Sequence, residues 1–267
     1  TYLAPVGVAN YFAEVPLIQG TIMPTQGAPG TFFDLESLQV LRGPQGTLFG
    51  RNTTGGAVLL GPKKPGEHFE GYVQVQAGNY DDREYEGALN LPLVTDRLMV
   101  RVAYKDVSRD GFTKDVGPRA FGFNAVCDVG SGNSCGFGNP RGAGFAGKDY
   151  DNQDYWHARI SVLWRPTDNI ENNLVALRGR SHDNGTGIVF DGAGPGANLA
   201  NLVGNMAYNL PNLFSPATMF DPTVTQSVLA RQKALGKRKI ALNTDQFFRV
   251  EHDAAIDTLA IDLRDNL

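Results

Sequence analysis

Apolar and polar residues alternate over long stretches of the chain from about residue 68 onward. In the first stretch Phe69, Gly71, Val73, Val75 and Ala77 share one side, and Glu70, Tyr72, Gln74, Gln76 and Tyr80 the other. In the second, Tyr85, Gly87, Leu89, Leu91 and Leu93 oppose Glu84, Glu86, Ala88 and Asn90. The third sets Leu98, Val100, Val102 and Tyr104 against Arg97, Met99, Arg101, Ala103 and Lys105. The fourth sets Trp156, Ala158, Ile160, Val162 and Trp164 against Tyr155, His157, Arg159, Ser161 and Arg165. A period of two predicts strands with one apolar and one polar face. Weaker alternation predicts further strands over 170–182 and 246–256, and a seventh starting at Leu259.

The connections add topology. Those at 79–82, 94–97, 166–169 and 257–258 are short, whereas those at 110–152 and 183–245 are long. Apart from the short 79–82 connection, which breaks the alternation, long loops gathered at one rim of an antiparallel sheet fit an outer-membrane barrel, with tight turns on one side and long extracellular loops on the other. Soluble sandwiches share the asymmetry. Trp156 and Trp164 bracket an apolar band, as aromatic girdles do at the two interfaces of a membrane barrel. A sandwich core would accommodate the same strand.

Composition narrows the field. The net charge of −4 excludes a chain that grips nucleic acid through bulk positive charge. A hydrophobic content of 42% is too high for a disordered chain. The longest purely apolar runs, such as 57–60, are far below the roughly 18 residues that a spanning helix needs. Barrel strands leave no such signal, so the membrane stays open.

Residues 1–66 have a different texture, dense in glycine and proline. Leu38 to Leu41 reads as a short strand entering a turn at Gly43-Pro44. Pro44 suits the first position of a short helix, and Gly50 suits its left-handed end. Gly55-Gly56 then turns the backbone into an apolar strand at 57–60. The segment lacks the Lys-Ser/Thr of a phosphate-binding loop.

The run Leu35-Glu36-Ser37-Leu38-Gln39-Val40-Leu41-Arg42-Gly43-Pro44-Gln45-Gly46-Thr47-Leu48-Phe49-Gly50-Arg51-Asn52-Thr53-Thr54-Gly55-Gly56-Ala57-Val58, followed by Lys63-Lys64-Pro65, resembles the end of the plug domain of TonB-dependent outer-membrane receptors. The residues that carry the resemblance are Arg42, Gly43, Pro44, Gly46, Gly50, Arg51, Asn52, Gly55 and Gly56. It implies a mainly β fold: the C-terminal part of a plug over 1–66, then an antiparallel meander over 67–267. That meander would form the first seven or so strands of a transmembrane barrel of about 22 strands. It implies that the chain starts inside the plug and is a fragment of a longer receptor, whose energy-coupling segment is not visible here.

The activity implied is TonB-dependent uptake of a scarce nutrient, such as a siderophore–iron complex, across the Gram-negative outer membrane. The partners implied are TonB with its inner-membrane energising complex, outer-membrane lipid and a small-molecule ligand. No cofactor is called for, and no nucleophile–base pair suggests an enzyme. Arg42 and Arg51 are expected to pair with Glu84 and Glu86 as a latch between plug and barrel. The alternatives are a passive porin or adhesin barrel, which would have no need of a plug, and a soluble β-sandwich that binds or hydrolyses carbohydrate. A sandwich requires the apolar strand faces to close on each other.

The remaining motifs add little. Gly142, Gly144 and Gly147 match a dinucleotide fingerprint by letter but lack the flanking strand and helix. They are expected in a loop. Asp183-Asn184-Gly185-Thr186-Gly187 is turn chemistry. Cys127 and Cys135 would close a small loop in an oxidising compartment. His68, His157, His182 and His252 stand on separate segments with no ligand spacing, so no metal site is expected from sequence.

Overall fold

The structure, a computed structural model, describes residues 7–17, 32–50, 53–116, 148–187, 230, 233–240 and 248–263. Arg51, Asn52, Cys127, Cys135 and the stretch from Gly142 to Gly147 lie outside the described residues. The chain divides into two compact units. One comprises Thr1–Arg109, Asp154–His182 and Arg249–Leu267, the other Asp110–Gln153 and Asp183–Phe248.

The first unit contains two sheets. The smaller is built from β1 (Val8–Phe12), β2 (Val15–Pro16), β3 (Leu35–Arg42) and β4 (Gly56–Pro62), in the order β2-β1-β4-β3. β1 runs parallel to β4 and β3 antiparallel to it. Between β3 and β4 sits a single helical turn, α1 (Gly46–Phe49).

The larger sheet is a six-stranded meander. β5 (Glu70–Gly78), β6 (Asp82–Val94) and β7 (Leu98–Arg109) are followed by β10 (Gln153–Thr167), β11 (Ile170–Asp183) and β13 (Phe248–Ile261), which are neighbours in that sequence. The turn between β5 and β6 holds Tyr80 and Asp81 both at positive φ, the geometry that matches the twist of a hairpin. The second unit carries a small sheet of β8 (Thr113–Asp115), β9 (Asp149–Tyr150) and β12 (Lys239–Ile240), ordered β12-β8-β9.

Burial in the meander is the reverse of that in a soluble domain. On the central strands the polar-face positions of the alternating pattern are covered: Asn90 on β6, Met99, Arg101 and Ala103 on β7, and His157, Arg159 and Ser161 on β10 are all buried. The apolar-face positions are partly or fully exposed. Val73 is 85% exposed and Trp164 51%, and Leu89, Leu93, Val102, Tyr104, Ile160 and Leu174 are exposed as well. A sandwich would have hidden these side chains against a second sheet. Instead the small sheet packs on the polar side, where Phe12 and Leu60 meet Val175, and Phe33 meets Ala88 and Ala103.

Two expectations need correction. The sixth and seventh strands are one: β13 runs unbroken through Asp257 and Thr258. The apolar residues change side along it. Phe248, Val250, His252 and Ile256 are the more covered, while Leu259 and Ile261 stand on the same side as the exposed Glu251 and Asp253. The alternation therefore changes phase without a turn. The helix also starts later than expected. Pro44 precedes it, Gln45 caps it and Gly46 opens it.

Candidate functional site

The glycine-rich segment is held by its own backbone. The Gly43 N–H donates to the Gly55 carbonyl at 3.2 Å, and the Gln45 N–H to the Thr53 carbonyl at 2.9 Å. Tyr11 Oη donates to the Phe49 carbonyl at 2.6 Å, and the two rings pack with centroids 5.0 Å apart. Gly50 ends the turn at φ 73°, as expected in sign, but its ψ of −154° lies outside the left-handed helical well. Gly56 has φ 148°, and a Cβ there would overlap the Leu41 carbonyl oxygen, so β4 can pair with the end of β3 only through a glycine.

Where this segment meets the meander, one carboxylate organises the contact. Asp34 lies just before β3 at φ 47°, a left-handed conformation that aspartate tolerates better than most residues. Its carboxylate accepts two bonds from Arg101 Nε, at 2.9 and 3.2 Å, and a further bond from Arg101 Nη2. Arg159 Nη2 donates to the other carboxylate oxygen at 2.7 Å and to the Asp34 carbonyl at 2.6 Å. Arg159 Nη1 reaches the Phe33 carbonyl at 3.2 Å. The side chains of Asp34, Arg101 and Arg159 are 1%, 3% and 2% exposed.

The Arg159 guanidinium also lies over the rings of Phe33 and Phe12, at 4.9 and 5.7 Å from their centroids. Two buried arginines against one carboxylate leave an excess positive charge. Glu70 offsets it, 3.4 Å from Arg101 and itself bound by Lys63 at 2.7 Å. Charge-assisted, forked contacts of this kind are the strong class of hydrogen bond.

A second tie lies where the two sheets join in sequence. Buried Asn90 donates to the Gly66 and His68 carbonyls and accepts from the Gly66 N–H at 2.9 Å. One amide thus satisfies three backbone groups of the connecting segment, which would otherwise be costly to bury.

The expected partners of the glycine-rich segment are arranged differently. Glu84 and Glu86 lie on the covered face, but Lys105 of the neighbouring strand takes both, at 3.4 and 3.0 Å. Tyr72 Oη adds a 2.7 Å bond to Glu86. Arg42 ends β3 exposed. The pairing of Glu84 and Glu86 with Arg42 is therefore replaced by pairing along the sheet, because Lys105 stands directly opposite Glu86 in the strand register.

Sequence reasoning placed Arg101 and Arg159 on the polar face but missed their role. The available signal was two arginines at the middle of the polar faces of long strands, next to Met99, Ala103 and Ser161, a placement that is costly unless paired.

No protein-family model matches the chain. It is similar to the ferric yersiniabactin uptake receptor FyuA from Yersinia pestis, at 20% identity and a TM-score of 0.49, over 67% of this chain and 23% of that one. The siderophore receptor PirA from Acinetobacter baumannii is similar at 17% identity and a TM-score of 0.47, over 68% and 25%. The ferripyoverdine receptor of the outer membrane of Pseudomonas aeruginosa is similar at 15% identity and a TM-score of 0.47, over 70% and 21%. The chain thus spans about a quarter of the length of these structures. In the plug-end motif between Leu35 and Pro65 it resembles the TonB-dependent outer-membrane receptors.

Proposed function

We propose that this chain belongs to a TonB-dependent receptor of the Gram-negative outer membrane and takes part in active uptake of a large, scarce nutrient such as a siderophore–iron complex. The observation that carries the reading is the reversed burial of the meander. Its apolar side chains stand bare, as lipid-facing residues of a barrel do, and its polar side is covered by a glycine-rich sheet, as the wall of a plugged bore is. Residues 1–66 then act as plug and 67–267 as wall, with the connections at 110–152 and 183–245 on the extracellular side.

The Asp34–Arg101–Arg159 contact takes the place of the Arg42–Glu84 and Arg42–Glu86 latch, as the attachment that plug displacement has to break. Transport requires no covalent step, so the work of TonB goes into breaking such contacts. Arg51 remains a candidate for a further tie, and Cys127–Cys135 for a disulfide in an extracellular loop.

The test is uptake of radiolabelled ferric chelates by cells that make the protein, with and without TonB. Accumulation that depends on both the protein and TonB supports the reading. Equal accumulation without TonB overturns it, as does recovery of the protein outside the outer-membrane fraction.

A further inference from the structure

On the covered face of the meander, His157 of β10 and His252 of β13 reach toward each other across the strand between them. Their rings lie 4.8 Å apart, tilted by 38°. Gly179 of β11 makes the approach possible. It stands opposite His157 in register, and a Cβ there would overlap both imidazoles. Gly179 and His157 are both buried. Tyr155 packs edge-on against His157 at 5.9 Å, and Phe33 lies 6.5 Å from it on the other side.

Aromatic packing over a strand glycine accounts for the proximity alone, but it leaves the nitrogens unexplained. Both ring nitrogens of His252 are shielded from solvent and have no hydrogen-bond partner among the described residues. Buried polar atoms in that condition are rare in native proteins and mark strain, a bound water or an ion.

A shared ion fits the spacing. Metal–nitrogen bonds of about 2.0–2.1 Å put the centres of two imidazoles that share one ion about 5 Å apart. That is the separation found here. We infer that His157 and His252 form a two-imidazole site for a divalent first-row transition metal, held on the wall above Arg159. Imidazole favours copper(II) and nickel(II) over the lighter metals. No group of three or more His, Cys, Asp or Glu side chains gathers among the described residues. The other coordination positions are open to water or to the donor atoms of a chelator. This inference rests on the transport reading only in taking the covered face to be the bore.

The test uses the full-length protein, free of any histidine tag, titrated with copper(II) chloride alone. Binding of one equivalent is expected, with a paramagnetic resonance spectrum coupled to two imidazole nitrogens. His157→Phe and His252→Phe keep an aromatic ring over Gly179 and remove the ligand. Each is expected to weaken binding about 100-fold or more at unchanged thermal stability. Undiminished binding in both variants, or a wild-type spectrum with at most one imidazole nitrogen, overturns the site. Copper binding is read without transport, so its failure leaves TonB-dependent uptake standing, and loss of TonB dependence leaves the titration standing.

Discussion

Asp34 and Arg159 are 125 residues apart in the chain, yet their side chains meet at 2.7 Å in a contact closed to solvent. Arg101 completes the arrangement from a different strand. Removing the carboxylate leaves two buried guanidinium groups with only the half-exposed Glu70, 3.4 Å from Arg101, as counter-charge. Asp34→Asn is expected to cost about 3–5 kcal/mol of stability, the range for breaking a buried pair. Urea unfolding of the purified protein measures it. A double-mutant cycle with Arg159→Met should be strongly non-additive, and additive effects would show that the two residues do not act together.

The pairing of Glu84 and Glu86 with Lys105 occupies them within the meander rather than with the glycine-rich segment. Replacing both by Gln is expected to leave the uptake rate close to wild type, whereas Asp34→Asn alters it. The stability cost should be about 1 kcal/mol or less per pair, since these contacts keep some solvent access. A large change in uptake on replacing Glu84 and Glu86 would restore them as the attachment point.

The bare face makes a prediction that depends on its solvent. Ile160 is exposed at the middle of the apolar band between Trp156 and Trp164. In a bilayer, Ile160→Arg should cost about 2–4 kcal/mol, the penalty for a cation near the midplane of a barrel. In water the same change at an exposed position costs almost nothing. Folding titrations in lipid vesicles discriminate the two, and a negligible cost there would remove hydrocarbon from this face.

Gly56→Ala tests the local geometry of the glycine-rich segment. The new methyl group meets the Leu41 carbonyl, and φ of 148° is unsuited to a side chain. The expected loss is of order 1–3 kcal/mol or more. Thermal unfolding checks it. A neutral effect would mean that β3 and β4 part at this point at no cost.

Much of the architecture was legible in the sequence because alternation is a local property. Residues 69–77, 84–93, 98–105 and 155–165 each declared a strand and its two faces, and the more exposed face is the apolar one in the last three, while both faces of 69–77 are largely exposed. The phase change within β13 misled, since a pattern rule registers a shift of face as a break in the strand. The Asp34 contact was not legible because it depends on which strands become neighbours and on what lies over them. The His157–His252 pair was hidden for the same reason: ninety-odd residues of chain separate them, and only the strand order sets Gly179 between.

The parallel pairing of β1 with β4 bears on how the small sheet, in the proposed role of plug, would answer a tug. Val8 sits opposite Gly56, and Phe12 opposite Leu60. Chain entering at Val8 and chain leaving at Pro62 toward the Asn90 clasp therefore depart from opposite ends of the same ribbon. Tension between those two points slides the strands lengthwise, so the rungs yield together instead of one after another. Such a ribbon resists far more force than one peeled from an end, and the stopper would sooner be drawn out whole than unravel.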